Sequence, residues 1–249
     1  MTVYFVGAGP GDPKLITVLG RELLQQARVC IWAGSLVNPA LLELLPPDAA
    51  VYDSAKLTLD EIVEHCAAAH SKGLDVVRLH TGDPSLYGAI REQQQRLDAL
   101  GIPWQIVPGV SSFQGAAAAL GIELTVPELC QSVVLTRLGG RTPMPASESI
   151  DAFARTGATL CLFLSVDALS RVATELGPIL GEDCPVAIVY RASWPEQRIV
   201  RGTLATITEQ AGAAGIGRQA MVIIGRALTS GGPESRLYAQ GFAHGYRTC

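Results

Sequence analysis

Short apolar runs alternate with longer stretches of helical periodicity along most of the chain. Residues 3–6, 29–32, 50–52, 76–79 and 104–107 are brief, rich in Val and Ile, and bounded by Gly, Pro, Asp or Thr, which is how buried strands read. Between them the pattern predicts helices over 15–26, 57–70, 87–100 and 114–120, with a short helix near 39–44. Leu59, Ile62, Val63, Cys66 and Ala67, for example, recur at the spacing that lines one face of a helix. Strand and helix in alternation mark βαβ units and a parallel sheet. Further strands are predicted over 132–136, 159–164, 186–190, 197–201 and 220–224, with helices over 150–155, 167–175 and 204–214 and a polar loop over 139–146. The chain therefore divides into two α/β domains, residues 1–120 and 121–228, followed by a tail over 229–249 that begins rich in Gly and Ser.

Composition adds limits rather than an answer. With 249 residues, 48% hydrophobic and 17% charged, the chain buries a substantial core and is not a disordered segment. Its net charge of −4 argues against nucleic acid as a partner. No run approaches the length of a membrane span, and Thr2-Val3-Tyr4-Phe5-Val6 reads as a first strand rather than an export signal. The expected location is the cytoplasm. The six cysteines show no CxxC spacing. Cys66 and His70 share a helical face, but two ligands do not make a zinc site, so no metal is expected.

Chemistry concentrates in three loops. Gly7-Ala8-Gly9-Pro10-Gly11-Asp12 follows the first strand, His80-Thr81-Gly82-Asp83-Pro84-Ser85-Leu86-Tyr87-Gly88 the fourth, and Val107-Pro108-Gly109-Val110-Ser111-Ser112 the fifth. The carboxyl ends of parallel strands are where an open sheet binds its ligand. The first loop fails the dinucleotide fingerprint, because Asp12 stands where a third Gly or Ala belongs. No acid ends the second strand to grip a ribose, since that place reads Ile31-Trp32-Ala33-Gly34. Each loop alone would be a turn. Together they offer backbone groups and small hydroxyls instead of Lys or Arg, which suits a neutral adenosine with a zwitterionic amino acid better than a polyphosphate. Ser111 and Ser112 lack the G-x-S-x-G context of a nucleophile. On the residues alone, a nicotinamide-dependent oxidoreductase and a non-catalytic carrier stay open beside a transferase.

In this order, Val6-Gly-Ala-Gly-Pro-Gly-Asp12, His80-Thr-Gly-Asp-Pro-Ser-Leu-Tyr-Gly88 and Val107-Pro-Gly-Val-Ser-Ser112 resemble the tetrapyrrole (corrin/porphyrin) methylase family, over about residues 1–228. Ile31-Trp-Ala-Gly-Ser-Leu-Val-Asn38, Leu135-Thr-Arg-Leu-Gly-Gly-Arg-Thr-Pro143 and Val189-Tyr-Arg-Ala-Ser-Trp-Pro195 are similar to its precorrin-4 C-11-methylating branch. The resemblance implies two α/β domains with a ligand cleft between them, S-adenosylmethionine as methyl donor, a homodimer, and a place in cobalamin synthesis. It implies donor contacts at Pro10, Thr81, Gly82, Asp83, Leu86, Ser111, Ser112, Leu164, Ala192 and Met221. A corrin precursor carries carboxylate arms, for which Arg137, Arg141, Arg191 and Lys56 are the candidate partners. Relatives that methylate uroporphyrinogen carry an Asp after the second strand. Here Ala33-Gly34-Ser35 stands there, so no catalytic base is assigned. Whether the substrate holds cobalt, or is methylated at another ring position, the sequence leaves open.

Overall fold

A computed structural model describes residues 1–140, 142–229, 231, 232, 235, 242 and 243. Arg141 and most of the 229–249 tail therefore lie outside the described residues. The chain forms two compact units. The first joins Met1–Ala116 with Arg191–Gln197, and the second joins Ala117–Tyr190 with the described residues from Arg198 onward.

The first unit is built on a five-stranded, wholly parallel sheet. Its strands are β1 (Val3–Gly7), β2 (Val29–Trp32), β3 (Ala50–Asp53), β4 (Val76–His80) and β5 (Trp104–Val107), in the order β3-β2-β4-β1-β5. The order places β1 between β4 and β5, so the three glycine loops leave neighbouring strands. Helices α1 (Val18–Gln26), α2 (Leu59–His70) and α3 (Arg91–Ala99) connect the strands, and α4 (Ser112–Leu120) follows β5. Alternation along the strands sends Val3, Phe5, Val29 and Ile31 into one core with Ile62, Cys66 and Leu97. It sends Val6, Cys30, Val77 and Leu79 into another with Leu24 and Leu41.

Local signals fix where the helices begin. The Thr17 hydroxyl accepts from Gly20 N at 3.2 Å and starts α1. Thr58 and Glu61 form a reciprocal capping box that starts α2, with Thr58 N donating to Glu61 Oε2 at 2.7 Å. Two helices of the first unit begin three or four residues later than their periodicity suggests. The segment expected as a helix from residue 15 opens with a single 3-10 turn, Pro13–Leu15, capped by Asp12, before α1 starts at Val18. The helix expected from residue 87 starts at Arg91, because Tyr87 and Ala89 are left-handed, with φ of 56° and 48°. Neither residue type favours that region.

The second unit carries a mixed sheet. Strands β6 (Val133–Arg137), β7 (Thr159–Phe163), β8 (Pro185–Tyr190), β9 (Arg198–Thr203) and β10 (Ala220–Ile224) lie in the order β6-β7-β10-β8-β9. Only β6 and β7 run parallel, the other neighbours being antiparallel. Leu160, Leu162, Val186, Ile188, Val222 and Ile224 face a core made with α5 (Ile150–Ala154), α6 (Leu169–Leu180) and α7 (Ile207–Ala213). Met221 and Ile223 alternate onto the opposite face and are also buried.

Ser165 organises one end of this sheet. Fully buried, its hydroxyl donates to Phe163 O at 2.7 Å and accepts from Leu138 N at 2.8 Å. It thereby fastens the chain leaving β6 to the chain leaving β7, beside the left-handed Leu164 (φ 50°). Ser165→Ala strands the buried Leu138 N–H and is expected to destabilise the fold by about 1–3 kcal/mol. A urea titration checks this, and an unchanged midpoint would show that the amide finds another partner.

Candidate active site

The carboxyl ends of β4, β1 and β5 bring the three loops into backbone contact. Gly9 and Gly82 pair as an isolated bridge, with Gly9 N donating to Gly82 O at 3.2 Å and Gly82 N to Gly9 O at 2.9 Å. A Cβ on Gly7 would stand 2.6 Å from both Gly109 Cα and Gly82 O, so three loops approach at a distance that only glycine permits. Asp83 completes the junction. Its Oδ2 accepts from Gly109 N at 2.8 Å, and its Oδ1 accepts from Ser85 N at 2.8 Å and from the Ser85 hydroxyl. Partial burial alone would raise the pKa of this carboxyl; the hydrogen bonds from Ser85 and Gly109 outweigh that and hold it below the ordinary value.

A fourth segment joins from far along the sequence. Residues 191–197, the turn between β8 and β9, pack on the first glycine loop. Trp194 Nε1 donates to Pro10 O at 3.1 Å, and Asp12 N donates to Ser193 Oγ at 2.9 Å. The Trp194 ring lies so close over Gly11 that a Cβ there would overlap it. Arg191 stacks on the other partner of this turn, its guanidinium 5.0 Å from the Trp194 ring and 3.7 Å from Glu196. Arg191 and Ser193 are themselves left-handed, with φ of 46° and 67°. Pro10, Gly115 and Ala192 meet here: a Cβ on Gly115 would stand 2.8 Å from Pro10 Cβ and 3.6 Å from Ala192 Cβ.

Of the residues expected to hold the donor, Pro10, Thr81, Gly82, Asp83, Leu86, Ser111, Ser112 and Ala192 belong to the first unit. Ser111 is buried, and Gly82 stands against it and Ser112: a Cβ on Gly82 would lie 3.6 Å from Ser111 Cα and Ser112 N. Leu164 and Met221 lie in the second unit, Leu164 70% exposed at the end of β7 and Met221 buried on β10. The candidate cations are placed separately. Arg137 turns its guanidinium onto the carbonyls of Leu138, Thr142 and Pro143, shaping its own loop. Lys56 follows β3, 81% exposed, with Nζ 3.8 Å from Asp53 Oδ2.

Two contacts went unread in the sequence. Although no acid ends β2, the Asp53 carboxylate from the end of β3 accepts from Gly34 N at 3.1 Å and so stands beside that turn. Trp194 stands in the Val189–Pro195 motif, but nothing in the motif points to its partner Pro10, 184 positions away. Among the described residues no group of three or more His, Cys, Asp or Glu is placed to hold a metal ion, and no helix is long and apolar enough to cross a membrane.

Adjacent parallel strands whose glycine loops converge in this way define an α/β domain whose strand ends present backbone and hydroxyl groups. The chain belongs to the tetrapyrrole (corrin/porphyrin) methylases, whose family model matches residues 2–208. It is 51% identical over 248 residues to the precorrin-4 C(11)-methyltransferase of Pseudomonas aeruginosa, covering 99% of each chain. The X-ray structure of the cobalt-precorrin-4 methyltransferase CbiF superimposes with a TM-score of 0.90 at 45% identity, over 92% of this chain and 96% of that one. Uroporphyrin-III C-methyltransferase from Thermus thermophilus, solved with S-adenosylhomocysteine, matches with a TM-score of 0.75 at 30% identity over 92% and 93% of the two chains.

His80, at the head of the second loop, is buried with its Nε2 lacking any hydrogen-bond partner. Burial, reinforced by the nearby Arg78 charge, pushes its pKa from 6.5 down to about 3. The folded chain keeps the ring neutral while the unfolded chain protonates it below about pH 6.5. Stability from this group is therefore full above that pH and is lost as pH falls toward 3, by about 2 kcal/mol at pH 5. The drop in Tm between pH 7.5 and pH 5 is expected to be smaller in His80→Gln than in the parent. Parallel pH profiles for the two proteins would contradict this.

Proposed function

We propose that this chain transfers a methyl group from S-adenosylmethionine to C-11 of precorrin-4, a step of cobalamin synthesis. The observation that carries the reading is full-length similarity to precorrin-4 C(11)-methyltransferases, in a chain whose three glycine loops form one backbone cradle. The same reading makes the chain a cytoplasmic homodimer. Relatives act on precorrin-4 or on cobalt-precorrin-4. The metal-free substrate is the first choice here and the cobalt-bearing one the alternative.

The donor fits the cradle chemically. The first two loops carry acids, Asp12 and Asp83, the three loops themselves hold no Lys or Arg, and His80 is neutral. That set disfavours a pyrophosphate and accepts a cationic sulfonium with an adenosine. Gly82, Thr81 and Leu86 would hold it from the second loop, and Ser111 and Ser112 from the third. Pro10 and Ala192 would close it from the clamped first loop, and the family resemblance adds Leu164 and Met221 as candidate contacts. Asp83 acts by fixing the second loop to the third.

When bound, S-adenosylmethionine supplies a methyl group already activated on sulfur. The protein's work is then to align the nucleophilic carbon and exclude water, an effect that can be worth about 7–11 kcal/mol. No side chain is required to carry a proton at the reacting atoms. Arg191 and Lys56 are the candidates to receive the carboxylate arms of the tetrapyrrole, and Arg137 holds the carbonyls of its own loop.

The test is direct. The chain is incubated with precorrin-4 or cobalt-precorrin-4 and donor carrying a ¹³C methyl, and the product is read by mass and NMR. One added methyl at C-11 is expected, with faster turnover of the metal-free substrate. A methyl at another carbon would overturn the regiochemistry, and binding of NAD in place of S-adenosylhomocysteine would overturn the class.

A further inference from the structure

Arg78 is a buried cation for which the reading above has no use. It lies on β4, the strand that leads into the second glycine loop, and is 6% exposed. Among the described residues no carboxylate forms a salt bridge with it. A buried charge without an ion partner is costly and persists where hydrogen bonds surround it. Arg78 Nη1 donates to Ile31 O at 3.2 Å, at the end of β2, and to Leu79 O at 3.4 Å. Its Nε donates to Gln93 Oε1 at 3.1 Å.

Gln93 continues the link. It is also 6% exposed, sits in the first turn of α3, and with its oxygen taken by Arg78 it turns its amide N–H onto Ala89 O at 2.8 Å. Ala89 is one of the two left-handed residues that separate the second glycine loop from α3, the other being Tyr87. An amide side chain left to itself can present either its oxygen or its nitrogen. Arg78, which only donates, admits one orientation, and that orientation is the one that holds the Ala89 carbonyl. The strained segment 87–89 follows directly on Leu86.

We propose that Arg78 and Gln93 are positioning residues for the donor loop, Arg78 orienting the Gln93 amide so that it holds the Ala89 carbonyl and the left-handed segment behind Leu86. Neither touches the donor. The proposal rests on the reading that the loop over residues 81–86 binds S-adenosylmethionine.

Gln93→Glu separates this role from a purely structural one. A carboxylate still accepts from Arg78, now as an ion pair, but has no N–H to give Ala89. The variant is expected to melt no lower than the parent. It should lose about tenfold in affinity for S-adenosylhomocysteine and show a KM for donor raised by about the same factor, with kcat at saturating donor within about twofold. Arg78→Met removes the buried charge outright and is expected to give the same loss of affinity. Arg78→Met combined with Gln93→Met should lose no more than either alone, as members of one unit do. Unchanged affinity in both single variants overturns the proposal, as do additive losses, or losses in Tm, kcat and KM together. Failure of the parent itself to bind S-adenosylhomocysteine would overturn the functional reading instead.

Discussion

The structure depends on one close approach. Gly7 and Gly109, at or just beyond the carboxyl ends of β1 and β5, meet each other and the carbonyl of Gly82 at a separation that excludes a side chain on either. Everything placed at the site follows from it. The bridge between Gly9 and Gly82 and the grip of Asp83 on Gly109 N hold the second loop against the other two. Since β1 lies between β4 and β5, this junction needs the strand order of the sheet, the absence of a Cβ at Gly7 and Gly109, and the left-handed backbone of Gly82, with φ of 60°. The surface that results is made of peptide groups and the serines that open α4, which is why it carries so little cationic character.

Around that junction the chain spends further polar groups on rigidity. The Trp194 turn clamps the first loop, Arg78 and Gln93 brace the exit of the second, and Asp83 ties the second to the third. Charged and polar side chains that would ordinarily be assigned to ligand binding are committed here to backbone. This matches a reaction in which the donor arrives activated and alignment is the main contribution of the protein.

The first sheet was legible in the sequence because its strands are short, apolar and punctuated by glycine, and because the helices between them keep a clear 3.6-residue period. The loops were legible for the same reason: they sit at strand ends and share an uncommon set of Gly, Pro, Asp and Ser. What escaped had physical causes. Residues 87–90 carry a helical pattern, and only the left-handed backbone at Tyr87 and Ala89 removes them from α3. Asp53 reaches the turn after β2 from a neighbouring strand, a relation that linear spacing does not encode. The return of residues 191–197 to the first unit is a long-range packing event, and Trp194 in sequence looks like any core aromatic. Arg78 interrupts an apolar strand, and its acceptors Ile31 O and Gln93 Oε1 lie on other elements that linear spacing does not connect.

The most direct test of the account is a crystal structure of the chain with S-adenosylhomocysteine. The account predicts the ligand against the backbone of residues 81–83 and 111–112, with Pro10 and Ala192 beside it and the contact between Gly7, Gly82 and Gly109 unchanged. A ligand bound elsewhere on the chain, or loops that must separate to admit it, would contradict the claim that this junction is the donor site.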